Sequence, residues 1–152
     1  LTRTDGSWYG IQGRSMAKYT TLRYITVLFD EHEKVFGLDK VNTDETVYVT
    51  EGPLDSLFLD NAIAMCGADV DLSSYDYDLV YVYDNEPRNK QIVARMENSI
   101  QQGNKMVIWP SVVKCKDIND MVLAGLDPSA IISEHVYHGL EAKLKLTNWK
   151  KV

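Results

Sequence analysis

The sequence predicts an α/β protein, with a parallel sheet flanked by helices and preceded by a small β-rich lobe. Short runs of β-branched and aromatic residues alternate with segments whose apolar residues recur every three or four positions. Helices placed between successive strands are typical of parallel sheets that are covered on both faces. The alternation begins at Thr46, whereas residues 1–45 combine strand formers with glycines. We therefore expect a lobe at 1–45, a main domain at 46–139, and a tail at 140–152 that packs on the domain.

The lobe is predicted from aromatic and β-branched runs that are separated by turn residues. Trp8, Tyr9 and Ile11 lie among glycines and predict strands joined by tight turns. Residues 23–30 form strands strongly, and residues 35–38 predict a second short strand.

Each element of the main domain has its own pattern and boundary residues. Strands are predicted at 48–50, 62–66, 79–83 and 106–109, and helices at 53–61, 89–102, 117–124 and from 128 to about 139. Pro53 suits the first position of a helix, and its helix carries Leu54, Leu57 and Phe58 on one face. Gly103 is expected to end the second helix. Residues 69–78 predict a loop or partial helix.

The net charge of −6 argues against a broad nucleic-acid surface, which usually carries a basic excess. The charge is unevenly distributed. Residues 1–28 contain four basic side chains and one acidic one, a net charge of +3, and the acidic residues follow. The basic residues are Arg3, Arg14, Lys18 and Arg23. A basic lobe that faces an acidic metal site would suit a nucleotide-polymerising cleft, although so short a window can also be basic by chance.

The sequence indicates a cytoplasmic protein. No apolar run approaches the eighteen or so residues of a membrane span, and no signal peptide is visible. Cys66 and Cys115 are isolated, which fits buried thiols in a reducing compartment better than a disulfide framework. The chain begins at Leu1 rather than Met, and we expect it to be a fragment or an excised domain.

Acidic side chains follow two of the predicted strands. Glu51 comes directly after residues 48–50, and Gly52 next to it allows backbone conformations closed to other residues. Asp84 and Glu86 follow residues 79–83 and would point to the same side of an extended chain. Such carboxylates at the ends of strands suit Mg²⁺. Read separately, the segment at Glu51 is equally compatible with a solvated corner between a strand and a helix. The segment at Asp84 is also compatible with an ordinary acidic turn.

These motifs together resemble those of the toprim domain, which bacterial-type primases, topoisomerases and some nucleases share. The resemblance rests on Glu51-Gly-Pro-Leu-Asp55, on Gly67, and on Asp84-Asn-Glu86. The basic residues before the motif resemble the series found in primases: Arg14, Arg23 and Lys34. The segment Lys116-Asp-Ile-Asn-Asp120 resembles the acidic motif that follows in primases. The resemblance covers the whole chain in order and is greatest to the primases of T4-type bacteriophages.

The resemblance implies a DNA-directed RNA primase core that joins ribonucleotides with the help of Mg²⁺ or Mn²⁺. Glu51, Asp84 and Glu86 would then be catalytic, and Asp55 and Asp117 would join them as metal ligands. Arg14, Arg23 and Lys34 would contact the nucleotide. The partners would be single-stranded DNA template, ribonucleoside triphosphates and, in the full-length protein, the replicative helicase. A membrane is not expected to be a partner.

Three positions depart from the family pattern. Glu86 stands where an Asp is usual, Pro87 begins a segment without the usual glycine, and Asn119 stands where an acid is frequent. These departures bear on metal affinity and ligand assignment more than on the fold. Arg23 stands where Lys is common and keeps the charge.

Two alternatives to the primase interpretation stay open: a toprim nuclease or topoisomerase fragment, and a degenerate toprim module that only binds DNA or a partner. The basic series favours a primase over the first, and the acidic residues argue against the second. No zinc is expected in this fragment, because His135 and His138 lack a third His or a Cys nearby. Four tyrosines are expected to pack in the core rather than stack on bases: Tyr75, Tyr77, Tyr81 and Tyr83.

Overall fold

A computed structural model describes residues 1–17, 19–67 and 70–152, and a six-stranded sheet forms its centre. The strands of this sheet are β3 (Val35–Phe36), β4 (Val47–Thr50), β5 (Ala62–Met65), β6 (Leu79–Val82), β7 (Lys105–Val107) and β8 (Val136–Tyr137). Their order is β3-β5-β4-β6-β7-β8; the four inner strands are parallel and both edge strands antiparallel. The predicted α/β class is confirmed, and the four predicted strands form one parallel sheet.

A separate two-stranded sheet forms the lobe. Its strands are β1 (Gly10–Arg14) and β2 (Tyr24–Leu28), which pair antiparallel. The short strand β3 precedes residue 45 in the sequence, but it pairs with β5 at the edge of the main sheet. Tyr9 joins the two sheets, because its hydroxyl donates a hydrogen bond to the Val35 carbonyl and its ring is fully buried. The division of the chain at residue 45 stays a prediction.

Within the described residues, five α-helices cover the two faces of the main sheet, and a short 3-10 helix (Leu38–Lys40) follows β3. The α-helices are α1 (Pro53–Ser56), α2 (Lys90–Gln101), α3 (Ile118–Leu123), α4 (Pro128–Ser133) and α5 (Gly139–Trp149). Helices α2 and α5 bury Met96 and Leu146 on one face, and α3 and α4 bury Met121 and Ile132 on the other. The predicted second helix is confirmed: the Asn89 side chain accepts from two backbone N–H groups at its start, and Gly103 follows its end with φ +87°.

The fourth helix is shorter than the sequence predicts. We expected it to run from Pro128 to about residue 139, but it ends at Ser133. The β-forming pair Val136–Tyr137 then hydrogen-bonds antiparallel to β7. Pairing satisfies the backbone groups that β7 would otherwise leave open at the edge of the sheet, and this long-range gain decides against continuing the helix.

The residues of the predicted tail form a helix that packs on the core, and their assignment as a tail separate from the domain stays a prediction. Helix α5 buries Ala142, Leu146 and Trp149 against α2 and the core, while Leu140 and Leu144 are exposed. The spacing of the three buried residues, four and three apart, is that of a helix face.

Lys18 and Asp69, which belong to the basic amino-terminal region and the start of the predicted loop, lie outside the described residues. Residues 70–78 form a turn-rich loop without a helix, and a loop was one of the two forms predicted for this segment. The four tyrosines pack as expected: Tyr83 is buried, and Tyr75, Tyr77 and Tyr81 contact the same core cluster. In the described parts of the chain, no helix is long and apolar enough to cross a membrane.

Candidate active site

The candidate site lies at the carboxyl edge of the parallel strands, where Glu51 and Asp84 meet. Strands β4 and β6 are neighbours, and Thr50 at the end of one pairs with Val82 at the end of the other. Glu51 therefore follows one strand beside the loop that follows the other. The backbone N–H of Asp84 donates a hydrogen bond of 3.2 Å to Glu51 Oε1. Parallel pairing thus places the predicted carboxylates in neighbouring positions at one edge.

Asp55 reaches the same region from α1. Because its side chain points toward the site, the apolar side chains nearby point toward solvent. Its Oδ1 accepts a hydrogen bond of 3.0 Å from the backbone N–H of Asn119. The predicted helix 53–61 is a single turn that ends at Ser56. The apolar residues expected on one face of this helix do not pack in the core. They are 40–59% exposed, whereas Ser56 and Leu59 are buried. The residues of that face are Leu54, Leu57 and Phe58. Turning Asp55 inward turns them outward.

Gly52 combines an ordinary backbone conformation with a close approach to the Asp55 side chain. Its φ of −123° and ψ of 145° are open to any residue, so the predicted need for glycine conformations is wrong. A Cβ at this position would lie 3.3 Å from Asp55 Oδ2. Glycine therefore lets the backbone pass close to the Asp55 carboxylate.

Asp84 and Glu86 point toward a shared cation, and Asn85 points the other way. Lys116 Nζ lies 3.8 Å from Asp84 Oδ2 and 3.7 Å from Glu86 Oε1. The Asn85 amide nitrogen donates to the carbonyl oxygens of Val113 and Cys115, at 3.1 and 3.0 Å. Asp84 and Glu86 therefore share a partner, but the Glu86 backbone N–H donates to the Asp84 carbonyl oxygen, so the chain turns here instead of staying extended as expected.

Asp117 caps a helix at the border of the site. Its Oδ1 accepts a hydrogen bond of 2.8 Å from the backbone N–H of Asp120, in the first turn of α3. Its charge nevertheless acts on Asp84, because it contributes to the raised pKa of that carboxyl. Asp117 thus combines a structural role with a position beside the acidic cluster.

Two cations beside the carboxylates were missed by the sequence reasoning. Arg95 Nη1 lies 2.9 Å from Glu51 Oε2, and both side chains are mostly buried. Arg95 belongs to α2, 44 positions after Glu51, so no local pattern marks it as a partner of that carboxylate. Lys116 is the other cation; its place next to Asp117 in the late acidic motif was a usable signal.

The half-buried carboxylates perturb one another most strongly at Asp84. Burial, followed by the charges of Glu51 and Asp55, raises the pKa of Asp84 to about 7, although Lys116 acts in the opposite direction. Burial also raises the pKa of Asp55, with Asp117 and Asp120 adding to the effect. The site therefore concentrates negative charge that the folded protein only partly compensates.

The chemistry of these side chains fits a hard divalent cation. The described residues contain no preformed group of three or more Asp, Glu, His or Cys side chains that could hold a metal. The carboxylate oxygens are nonetheless of the type that Mg²⁺ prefers, and their mutual repulsion is relieved by positive charge.

The three predicted nucleotide-contacting residues occupy the lobe and its border. Lys34 directly precedes β3, whose Val35 pairs with Met65 at the end of β5, so Lys34 lies at the carboxyl edge. Arg14 ends β1 with its guanidinium 5.5 Å from the Tyr24 ring, and Arg23 precedes β2. Among the described residues, none of the three forms an ion pair with the acidic cluster.

The raised pKa of Asp84 predicts a gain in stability when its charge is removed. The unfolded carboxyl titrates near its ordinary value. Between about pH 4 and 7 the folded state therefore binds a proton that the unfolded state has lost, and folding becomes less favourable as pH rises through that window. With a metal chelator present, Asp84→Asn should be about 1–2 kcal/mol more stable than wild type at pH 8, a rise in Tm of about 3–6 °C. The difference should disappear near pH 4. Thermal melts across this range measure it.

Asp78→Asn is the matched control, at the opposite end of the same strand. Lys105 and Thr46 lower the pKa of Asp78 by hydrogen bonding, so removing its charge should slightly destabilise the protein at pH 8. An Asp84→Asn protein no more stable than wild type at pH 8 would contradict the electrostatic account of the site.

Comparison with known proteins gives one related sequence. No protein-family model matches the chain. The chain is 36% identical over 160 residues to the DNA primase of Enterobacteria phage T4, an alignment that covers 100% of this chain and 46% of the phage protein. The chain thus spans a little under half the length of this relative.

Solved primase structures share the fold. The RNA polymerase domain of Mycobacterium tuberculosis primase superimposes with a TM-score of 0.65 at 18% identity, covering 88% of this chain and 53% of that one. A structure of Aquifex aeolicus primase with its zinc-binding and RNA polymerase domains gives 0.66 at 17% identity, covering 89% and 39%. A third structure, the M. tuberculosis domain in complex with double-stranded DNA, gives 0.62 at 17% identity, covering 87% and 50%.

The chain is thus similar over its whole length to one region of the phage DNA primase, and it has the fold of solved primase RNA polymerase domains.

Proposed function

We propose that this chain carries the catalytic centre of a DNA primase, which joins ribonucleotides into primers for DNA replication. The observation that carries the proposal is the contact between Glu51 and Asp84, with Asp55 beside them, at the carboxyl edge of neighbouring parallel strands. Open α/β sheets bind ligands at this edge. A repulsive cluster of carboxylates there has little value for folding and suits a site that binds cations.

The proposed reaction is attack of a 3′-hydroxyl on the α-phosphate of a ribonucleoside triphosphate, with pyrophosphate as the leaving group. Glu51, Asp84 and Glu86 would hold Mg²⁺ or Mn²⁺, with Asp55 and Asp117 as further ligands. When bound, the metal ion would stabilise charge on the attacking and leaving oxygens. Glu51 is already oriented, because Arg95 and the Asp84 N–H each bind one of its oxygens.

The basic residues of the lobe would contact the triphosphate. Positive side chains opposite the metal-bound oxygens reduce the cost of bringing a polyanion to an acidic site. Lys34 lies at the same sheet edge as Glu51, and Gln12 of β1 donates a hydrogen bond of 3.3 Å to the carbonyl oxygen of Cys66, just beyond β5. This contact supports a lobe that reaches over the carboxyl edge and carries Arg14 and Arg23 with it.

Single-stranded DNA would be the template, and the full-length protein would act with the replicative helicase in the cytoplasm of the host cell. The DNA complex of the M. tuberculosis domain supports the assignment of a nucleic-acid partner. The chain's own overall charge of −6 favours local contacts, made mainly by the basic lobe, over a broad DNA-binding surface.

Replacing the paired carboxylates should abolish the reaction. Glu51→Gln and Asp84→Asn in the full-length protein should each lower template-directed ribonucleotide joining by about 100-fold or more, because each removes charge that stabilises the transition state. The assay measures incorporation of labelled ribonucleotide on single-stranded DNA with Mg²⁺. Asp78→Asn, at the other end of β6, should retain the wild-type rate.

The same assay separates the alternative functions. A nuclease or topoisomerase would cleave DNA with Mg²⁺ and leave ribonucleotides unjoined. A non-catalytic module would bind DNA without any joining by the wild type. Wild-type joining that survives Glu51→Gln and Asp84→Asn would remove these carboxylates from the mechanism.

Replacing the basic residues should change nucleotide dependence rather than stability. Arg14→Ala and Lys34→Ala should raise the nucleotide concentration for half-maximal joining by about 10-fold, as expected for loss of a hydrogen bond to a charged group. Both side chains are exposed, so Tm should change little. Initial rates across a nucleotide titration measure the effect.

Lys40→Ala provides the control for charge alone. Lys40 is exposed and follows β3 at the amino edge of the parallel strands, away from the carboxylates. If Arg14→Ala and Lys34→Ala match Lys40→Ala in nucleotide dependence, the two residues do not contact the nucleotide.

A further inference from the structure

Two hydrogen bonds join residues 149–151, here called the tail segment, to residues 84–88, the acid loop. Trp149 Nε1 donates to Asn85 Oδ1 at 3.1 Å. The backbone N–H of Lys151 donates to the carbonyl oxygen of Pro87 at 2.8 Å. The tail segment thus contacts the acid loop between Asp84 and Glu86 and again directly after Glu86.

The side-chain amide of Asn85 fixes the middle of the acid loop. Its nitrogen donates to two carbonyl oxygens of residues 113–115, and its oxygen accepts from Trp149. Exchanging the amide oxygen and nitrogen would set donor against donor and acceptor against acceptors, so the partners determine the orientation. The Asn85 backbone N–H also donates to the Lys116 carbonyl oxygen. Lys116 and the acid loop are therefore held together by the same residue.

The tail segment is itself firmly attached and can serve as a support. Trp149 is 8% exposed and belongs to the core cluster that includes Leu146. Lys150 Nζ lies 2.7 Å from Glu97 Oε1 on α2. The segment is thus held by apolar burial on one side and by an ion pair to α2 on the other.

We propose that Trp149 and the Lys151 backbone N–H are positioning groups for the carboxylates of Asp84 and Glu86. The inference rests on the proposed metal-binding role of those two residues. Neither group would touch the metal or the nucleotide; they restrict the loop that does. Partners of this kind, one step removed from the ligands, commonly change metal affinity about 10–100-fold when they are lost.

The most specific test compares Lys151→Pro with Lys151→Ala in the full-length protein. Both variants remove the side chain, but only proline removes the N–H that bonds to Pro87. Lys150 has φ −64° and ψ 146°, a conformation that a residue before proline prefers, so Lys150 need not change for a proline to follow it. Trp149→Phe is the second variant, because it keeps an aromatic ring in the core and loses the indole N–H. Trp8→Phe, at a side chain 73% exposed, is its control.

Two properties are measured below the unfolding temperature. The first is Mn²⁺ affinity, by calorimetry. The second is hydrogen exchange of the backbone N–H groups of Glu86 and Asn89, which donate to the carbonyl oxygens of Asp84 and Glu86 in the acid loop. We expect Lys151→Pro and Trp149→Phe to bind Mn²⁺ about 10-fold more weakly than their controls and to exchange these amides faster. Matching affinities and exchange rates would overturn the proposal, whatever happens to Tm. If wild type binds no Mn²⁺, the metal role fails, and amide exchange alone then decides whether the tail segment positions the loop.

Discussion

The structure depends on the parallel pairing of β4 with β6, which forces Glu51 and Asp84 together at one edge of the sheet. Burial of Asp84 and, after it, the nearby charge of Glu51 both disfavour its carboxylate form and raise its pKa to about 7. The surrounding contacts can be understood as responses to this constraint. Arg95 pairs with Glu51, Lys116 lies between Asp84 and Glu86, and Asn89 Nδ2 donates to Glu86. These groups compensate the charge only in part, and the remaining excess is available to a cation.

The sequence was sufficient to predict the four parallel strands and the edge at which the carboxylates gather. Buried parallel strands are continuous apolar runs, and their polar residues follow at the carboxyl ends, so both signals are local. The cation Arg95 was not predictable in this way, because it reaches Glu51 from a helix 44 positions further along the chain. The exposure of Leu54 and the strand at Val136–Tyr137 were missed for a related reason: a contact elsewhere, with Asn119 or with β7, outweighs the local pattern.

One departure from the family pattern, Glu86, has side-chain partners in this chain. Glu86, longer than the usual Asp, reaches both Lys116 and the Asn89 amide. At Asn119, where an acid is frequent, the contact with Asp55 is made by the backbone N–H, which any residue except proline supplies. The position between the two acids is Asn85, whose amide holds residues 113–116 and Trp149. The chain thus assembles its acidic edge from a loop that side-chain hydrogen bonds hold in place.

Calorimetric titration of the full-length protein with Mn²⁺ tests the central claim most directly. If the acidic edge is a metal site, wild type and Asp78→Asn should bind Mn²⁺ with the same affinity, and Asp84→Asn should bind at least about 10-fold more weakly. Equal binding by wild type and Asp84→Asn would contradict the account, because it would show that the carboxylate of Asp84 does not bind the metal ion.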